Sequence, residues 1–354
     1  MKILFATAQP FPPQMFGGLQ MDIIELAGRL RARGHDTAIF CGLAGSGWTG
    51  FRGRVMMKIS RKPYTKDGDF NHKTYRAWFP KTAMKDVADD FHPDIVVVAA
   101  REPVPIALAV RAIRIPVVML LQDVEFHDHG GDFKALVDVP CVANSSYTAE
   151  KYKRAFSVTP HVIYPIIDSD KYRVVPQKKY VLFVNPHPFK GVEIACDVAQ
   201  RLPHIPFVFL ESWPLSKTED RALTCALKNL PNVIRHAPVK DMKPFYAGAK
   251  MILVPSRWEE AFGRIVAEAQ VSGIPAISTR RAGLIESTGP GGILIDFDAP
   301  IENWTCAVEN LWDDEMLYGA LSVAARKHAE RPDMNPDQQI RTWENILKKS
   351  TGYP

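Results

Sequence analysis

An α/β chain of two doubly wound domains is the architecture the sequence predicts, on three observations. First, short apolar runs recur along the 354 residues, each closed by a polar or proline-containing turn. Such runs are apolar on both faces and too short for helices, so they read as buried parallel strands. Second, amphipathic segments ending at caps or glycines separate the runs, giving the strand–helix alternation of parallel sheets. Third, a polar stretch with Pro176 inside it, Lys171 to Lys179, breaks the alternation near the middle. It divides the chain into 1–172 and 177–335, each of ordinary domain size.

In the first part, Lys2–Thr7 is a strand and Gln9–Gly18 a proline-rich loop ending Phe16-Gly17-Gly18. Leu19–Gly34 is a helix with apolar positions at Ile23, Ile24, Leu26, Ala27 and Leu30, and Asp36–Cys41 is the next strand. The glycines do not spell the dinucleotide fingerprint, which argues against a nicotinamide cofactor. Asp94–Ala99 and Pro116–Leu121 are further strands. The second is followed by the polar run Gln122-Asp123-Val124-Glu125-Phe126-His127-Asp128-His129. Polar side chains beyond the carboxyl end of a parallel strand lie where open α/β sheets bind ligands. His127 and His129 with Asp123 or Asp128 could hold a metal, but that pattern in a loop is common without one. Val139–Ala143 is a strand, and Asn144-Ser145-Ser146 caps a helix from Tyr147 to Phe156.

The second part opens with the strand Tyr180–Val184, then Asn185-Pro-His-Pro-Phe-Lys190-Gly191, then a helix from Val192 to Leu202. Strands follow at Phe207–Leu210 and Asn232–Arg235, with helices from Thr218 to Leu230 and from Lys243 to Lys250. The chain then reads Met251-Ile-Leu-Val254, a polar turn Ser256–Glu260, a helix stopping at Gly273 before Pro275, and a strand Ala276–Ser278. Glu260 stands before this helix and Glu268 about two helical turns later. Between them, Phe262-Gly263 lets backbone approach a ligand, and the first helical N–H groups suit a phosphate. A sugar attached to a diphosphate is the suggested ligand. The plainer reading is a helix-terminal acid and a solvated one. Gly291-Gly292 precedes the strand Ile293–Ile295, and Pro336–Lys349 is the last helical segment.

Glu260-Ala-Phe-Gly-Arg-Ile-Val-Ala-Glu268 followed by Gly273-Ile-Pro275 resembles the signature of retaining glycosyltransferases of family four, which have the two-domain GT-B fold. The likeness extends through Ala282–Glu286, Gly291-Gly292 and both ends of the chain. It implies two Rossmann-like domains facing a cleft, with residues 336–354 crossing back to the first domain. It also implies a sugar moved from a nucleotide diphosphate sugar to a glycan, lipid-linked or small-molecule acceptor, without metal or cofactor. In the implied roles Lys190, Arg264 and Glu260 are catalytic: the two cations take the diphosphate charge and Glu260 orients the donor sugar. Glu268, Phe262, Gly263, Asn185, Gly191 and His236 bind the donor, Glu268 through the ribose hydroxyls and His236 at the nucleobase edge. Gly17, Gly18, Gln122, Asp123 and His127 lie on the acceptor side. Two positions depart from the pattern: Asn185 stands where relatives carry arginine, and Gln122 where they often carry histidine. Arg264 or Arg257 is a candidate for the missing cation. The departures leave room for an inactive nucleotide-sugar-binding module. An epimerase or phosphorylase of similar architecture is the other alternative.

Bulk properties narrow the classes. With 46% hydrophobic and 23% charged residues the composition is that of a globular protein. Five scattered cysteines form no metal pair and no even disulfide framework, so the cytoplasm is the default compartment. No apolar run approaches the ~20 residues of a membrane span. Asp67-Gly-Asp69 and Asp296-Phe-Asp298 read as turns, not metal ligands. The net charge of +5 is concentrated in Arg52, Arg54, Lys58, Arg61, Lys62 and Lys66, interleaved with Trp48, Phe51, Met56 and Met57. That segment reads as a solvated loop or as a contact for an anionic acceptor or the inner face of a membrane. Nucleic acid is not supported, since no zinc-finger or ribonucleoprotein motif is present.

Overall fold

The computed structural model describes residues 1–68 and 72–352. Asp69 lies outside the described residues. The chain forms two compact units, 1–166 with 336–354, and 167–335. The first contains β1 (Lys2–Pro10), β2 (Asp36–Gly42), β3 (Thr65–Asp67), β4 (Lys73–Ala77), β5 (Ile95–Ala99), β6 (Val117–Leu121), β7 (Cys141–Ala143) and β8 (His161–Val162). They form one sheet in the order β3-β4-β2-β1-β5-β6-β7-β8, parallel except between β3 and β4. The second unit holds β9 (Tyr180–Val184), β10 (Phe207–Leu210), β11 (Val233–His236), β12 (Ala249–Val254), β13 (Ala276–Thr279) and β14 (Gly292–Ile295). Its all-parallel order is β11-β10-β9-β12-β13-β14. In both sheets the strand order reverses beside the unit's first strand, between β1 and β5 and between β9 and β12. Those are the switch points at which doubly wound sheets open a crevice.

Strands buried on both faces carry the apolar runs: every residue of β5, β6 and β12 is buried. Side chains from β1, β2 and β5 alternate between two apolar layers, one of which includes Ile340, Trp343, Ile346 and Leu347 of the helix Pro336–Thr351. The final helix therefore packs within the first unit. The helix Ser146–Phe156 is capped by Ser145, whose Oγ accepts from the Thr148 N–H at 2.9 Å.

Three readings are corrected. The division comes earlier than residue 172, because the short helix Ser169–Tyr172 packs on the second unit, with the Tyr172 carbonyl accepting from Ser272 Oγ at 3.1 Å. Lys250 belongs to β12 and not to the preceding helix, which spans Lys243–Gly248. Its ammonium leaves the buried strand by donating to the Trp312 carbonyl and Glu315. The basic segment is mostly a helix, Gly47–Ser60, and not a loop. Only Gly50 and Gly53 of this helix are buried. A Cβ on Gly50 would lie 2.5 Å from the Ala44 carbonyl oxygen, and one on Gly53 2.7 Å from a Leu43 methyl. A core face made of glycine leaves no apolar periodicity to read.

Candidate functional site

The second unit's switch point gathers the loop after β9 and the loop after β12. The Phe189 carbonyl accepts from the N–H groups of both Arg257 and Trp258, each at 2.9 Å, so the loops are tied through backbone. Gly191 is required there: its φ is +76° and a Cβ would stand 2.0 Å from the Pro255 carbonyl oxygen. This juncture places the Lys190 ammonium 2.5 Å from Glu260 Oε1, which also accepts from Ser256 Oγ at 2.9 Å. The ammonium lies 4.7 Å from the centre of the Trp213 ring as well. Lys190 and Glu260, 70 residues apart, form one partly buried ion pair.

Asn185 does not reach toward this pair. It sits at positive φ, and its Oδ1 accepts from the Trp213 N–H at 3.1 Å, which fixes the Trp213 segment. Arg257 lies over the Phe297 ring, and Arg264 turns along its helix to Glu268.

Glu268 is only 5% exposed. Its two oxygens accept from Tyr246 Oη at 2.7 Å and Arg264 Nε at 2.6 Å. The solvated-face reading of Glu268 is thus excluded. Tyr246 and Tyr172 flank the carboxylate, and burial, then the Glu268 charge, pushes the Tyr172 phenol up to about 12 and that of Tyr246 well above its usual range. Phe262 is buried, and Gly263 takes φ +95° where a Cβ would meet Leu284 and Ser287. The helix Arg264–Gln270 has seven residues, and the two cations beside its start, Lys190 and Arg264, are each paired with a carboxylate. His236, at the end of β11, is exposed and edge-on to Phe245. Tyr246, Tyr172, Ser256 and Trp213 were not singled out from the sequence. They come from separate elements, and no spacing ties Tyr246 to Glu268, 22 residues on.

In the first unit, Gly17 precedes the helix Gly18–Ala32 in extended backbone. Gln122 Nε2 donates to Asp22 of that helix at 3.0 Å, and the Gln122 carbonyl accepts from Asn144 Nδ2 at 3.3 Å. The Gln122 Oε1 is buried without a partner. His127 is exposed beside Asp128. His129 is buried among Phe126, Phe133 and Phe156, with Nε2 2.8 Å from Tyr152 Oη. Burial lowers its imidazole to about 4. His129 is thus a packed neutral ring, and the histidine–acid group of the sequence is split. Among the described residues the group whose ligand atoms lie within 4.8 Å of one another is His204, Glu309 and Asp313, elsewhere on the second unit. Asp67 pairs with Arg76, and Asp296 with Arg280.

Burial, reinforced by the Glu125 and Asp128 charges, raises the Asp123 carboxyl from 3.8 to about 7. The folded chain then holds a proton that the unfolded chain releases, so stability contributed at Asp123 falls as pH rises from about 4 to about 7. Asp123→Asn should flatten that part of the profile, read as melting temperature against pH. An unchanged slope would remove Asp123 as its source.

Residues 16–171 match the family described as "Glycosyltransferase Family 4", and residues 178–314 that described as "Glycosyl transferases group 1". Among curated relatives, a D-inositol 3-phosphate glycosyltransferase of Corynebacterium kroppenstedtii is 32% identical over 115 residues, covering 32% of this chain and 25% of the relative. One from Paenarthrobacter aurescens is 28% identical over 169 residues, 44% and 41% of the two chains. The chain thus spans less than half the length of these relatives. Among solved structures, Anabaena HepE in complex with UDP-glucose superposes with a TM-score of 0.76 at 18% identity, covering 99% of this chain and all of the other. A glycosyltransferase from Rickettsia africae gives 0.75 at 14%, over 99% and 98%. With both halves matched and the strand order reversing at two switch points, the chain belongs to the family four glycosyltransferases and has the GT-B fold.

Proposed function

We propose that the protein is a retaining hexosyltransferase that moves a sugar from a nucleotide diphosphate sugar to an acceptor hydroxyl without a metal ion. The observation that carries the reading is the Lys190–Glu260 pair at the second unit's switch point. In this reading Lys190 turns from Glu260 to the donor diphosphate and stabilises the charge that develops as the glycosidic C–O bond breaks. Arg264 supplies the second cation, and Glu260, released, accepts from donor sugar hydroxyls. Glu268 accepts from ribose while keeping Tyr246. The acceptor oxygen forms the new bond on the face the diphosphate leaves, and its proton passes to the departing phosphate oxygen. Gln122, Asp123, His127 and the Gly17-Gly18 backbone are assigned to the acceptor. Neighbours solved in complex with UDP and UDP-glucose make uridine diphosphate sugars the first donors to try. The curated relatives make inositol phosphates the first acceptors.

A thermal-shift panel of nucleotide diphosphates and nucleotide sugars, with and without EDTA, tests the donor site. One base should raise the melting temperature selectively, equally with chelator. No response to any nucleotide would overturn the reading. Donor isomerised or phosphorolysed without acceptor would indicate an epimerase or phosphorylase, and tight binding without turnover on any acceptor a binding module.

A further inference from the structure

The helix Gly47–Ser60 presents an unusual surface. Its inner face is the glycine pair already described with half-buried Met57, and its other large side chains are exposed. Trp48 is 73% exposed, Phe51 51% and Ile59 71%, with Val55 and Met56 exposed between them. At about 100° per residue, Trp48, Val55 and Ile59 lie on one line, roughly opposite Gly50 and Gly53, with Phe51 and Arg52 to either side. The Trp48 and Phe51 rings stand 5.7 Å apart and form one apolar knob. Arg54 and Lys58 flank the stripe, and Arg61 and Lys62 follow it. No Asp or Glu occurs between residues 47 and 66. Trp78 and Phe79, both exposed, adjoin the same rim, where the Trp78 ring lies 3.9 Å from the position of a Cβ on Gly45.

An apolar stripe this exposed needs an occupant. A second copy would bring two uncompensated basic faces together, whereas an anionic surface would neutralise them. The helix is about 21 Å long, the length of an interfacial segment lying in a membrane plane. No helix among the described residues is long and apolar enough to cross a membrane. We infer that the helix Gly47–Ser60 docks the first unit onto an anionic lipid bilayer surface. Trp48, Phe51 and Ile59 enter the headgroup boundary, and Arg52, Arg54 and Lys58 pair with lipid phosphates. The glycine seat is what makes this possible: it holds the helix close to the domain with only Met57 of its large apolar side chains half-buried.

The inference rests on the first unit alone and is independent of the donor chemistry. Cosedimentation of the full chain with phosphatidylcholine vesicles, with and without phosphatidylglycerol, tests it. Binding should require phosphatidylglycerol and weaken with salt. The triple variant Arg52→Gln, Arg54→Gln, Lys58→Gln should lose affinity for these vesicles by about tenfold or more. The triple variant Trp48→Ser, Phe51→Ser, Ile59→Ser should lose it comparably, since both terms contribute. Both sets are solvent-exposed, so melting temperature and nucleotide response should stay at wild-type values. Vesicle binding unchanged in both variants, or absent from the wild type, overturns the inference. So does a wild-type dimer in sedimentation velocity that the serine variant dissolves, which would assign the face to a second copy.

Discussion

Lys190→Ala should lower the rate of sugar transfer by about 10²-fold or more, with a smaller effect on donor affinity. The asymmetry follows from the geometry. The ammonium is already matched by Glu260, so ground-state binding gains only the difference between two anionic partners. The charge that grows on the leaving phosphate has no such counterpart and draws on Lys190 most when the bond is breaking. Removing the lysine also leaves the Glu260 carboxylate without its cation in a partly buried place. Lys190→Arg is the informative companion, since a planar guanidinium cannot take the position of a compact ammonium over Trp213 without moving it. Steady-state kinetics with the best donor decide the matter. A wild-type kcat in Lys190→Ala would remove the residue from the reaction.

Glu268→Ala should cost both stability and nucleotide binding. The carboxylate joins Tyr246 from the helix before β12 to Arg264 of its own helix, and breaking a buried charged pair typically costs about 3–5 kcal/mol. The melting temperature should therefore fall even without ligand, and the nucleotide-dependent rise should shrink. Glu268→Gln separates the two effects. It keeps an acceptor for one neighbour and nearly the same volume, so it should recover much of the stability while leaving nucleotide binding impaired. Equal nucleotide response in Glu268→Gln and wild type would make the residue purely architectural.

The parts legible in sequence were those where burial writes itself as periodicity. The runs at Met251–Val254 and Asp94–Ala99 are apolar because both sheet faces are covered, and they appear as strands. Glu260 and Glu268 were visible as two acids framing a turn and a short helix, and Lys190 through the family resemblance. What stayed hidden depends on contacts between distant segments. Nothing local says that Glu260 would be held by Lys190, that Tyr246 would complete Glu268, or that Asn185 would brace Trp213. The helix Gly47–Ser60 was hidden for the opposite reason, since its apolar residues face away from the core that such patterns normally report.

The helix Pro336–Thr351 has a consequence for how the protein is made. The first unit's sheet is synthesised early, but one of its apolar layers is closed by Ile340, Trp343, Ile346 and Leu347, which leave the ribosome only after the whole second unit. Until then, the face that will meet Trp343 is open to water and to other nascent chains. Completion of the first unit therefore waits until the second has been made, and the interval is one in which a chaperone that covers apolar surface would have most to protect.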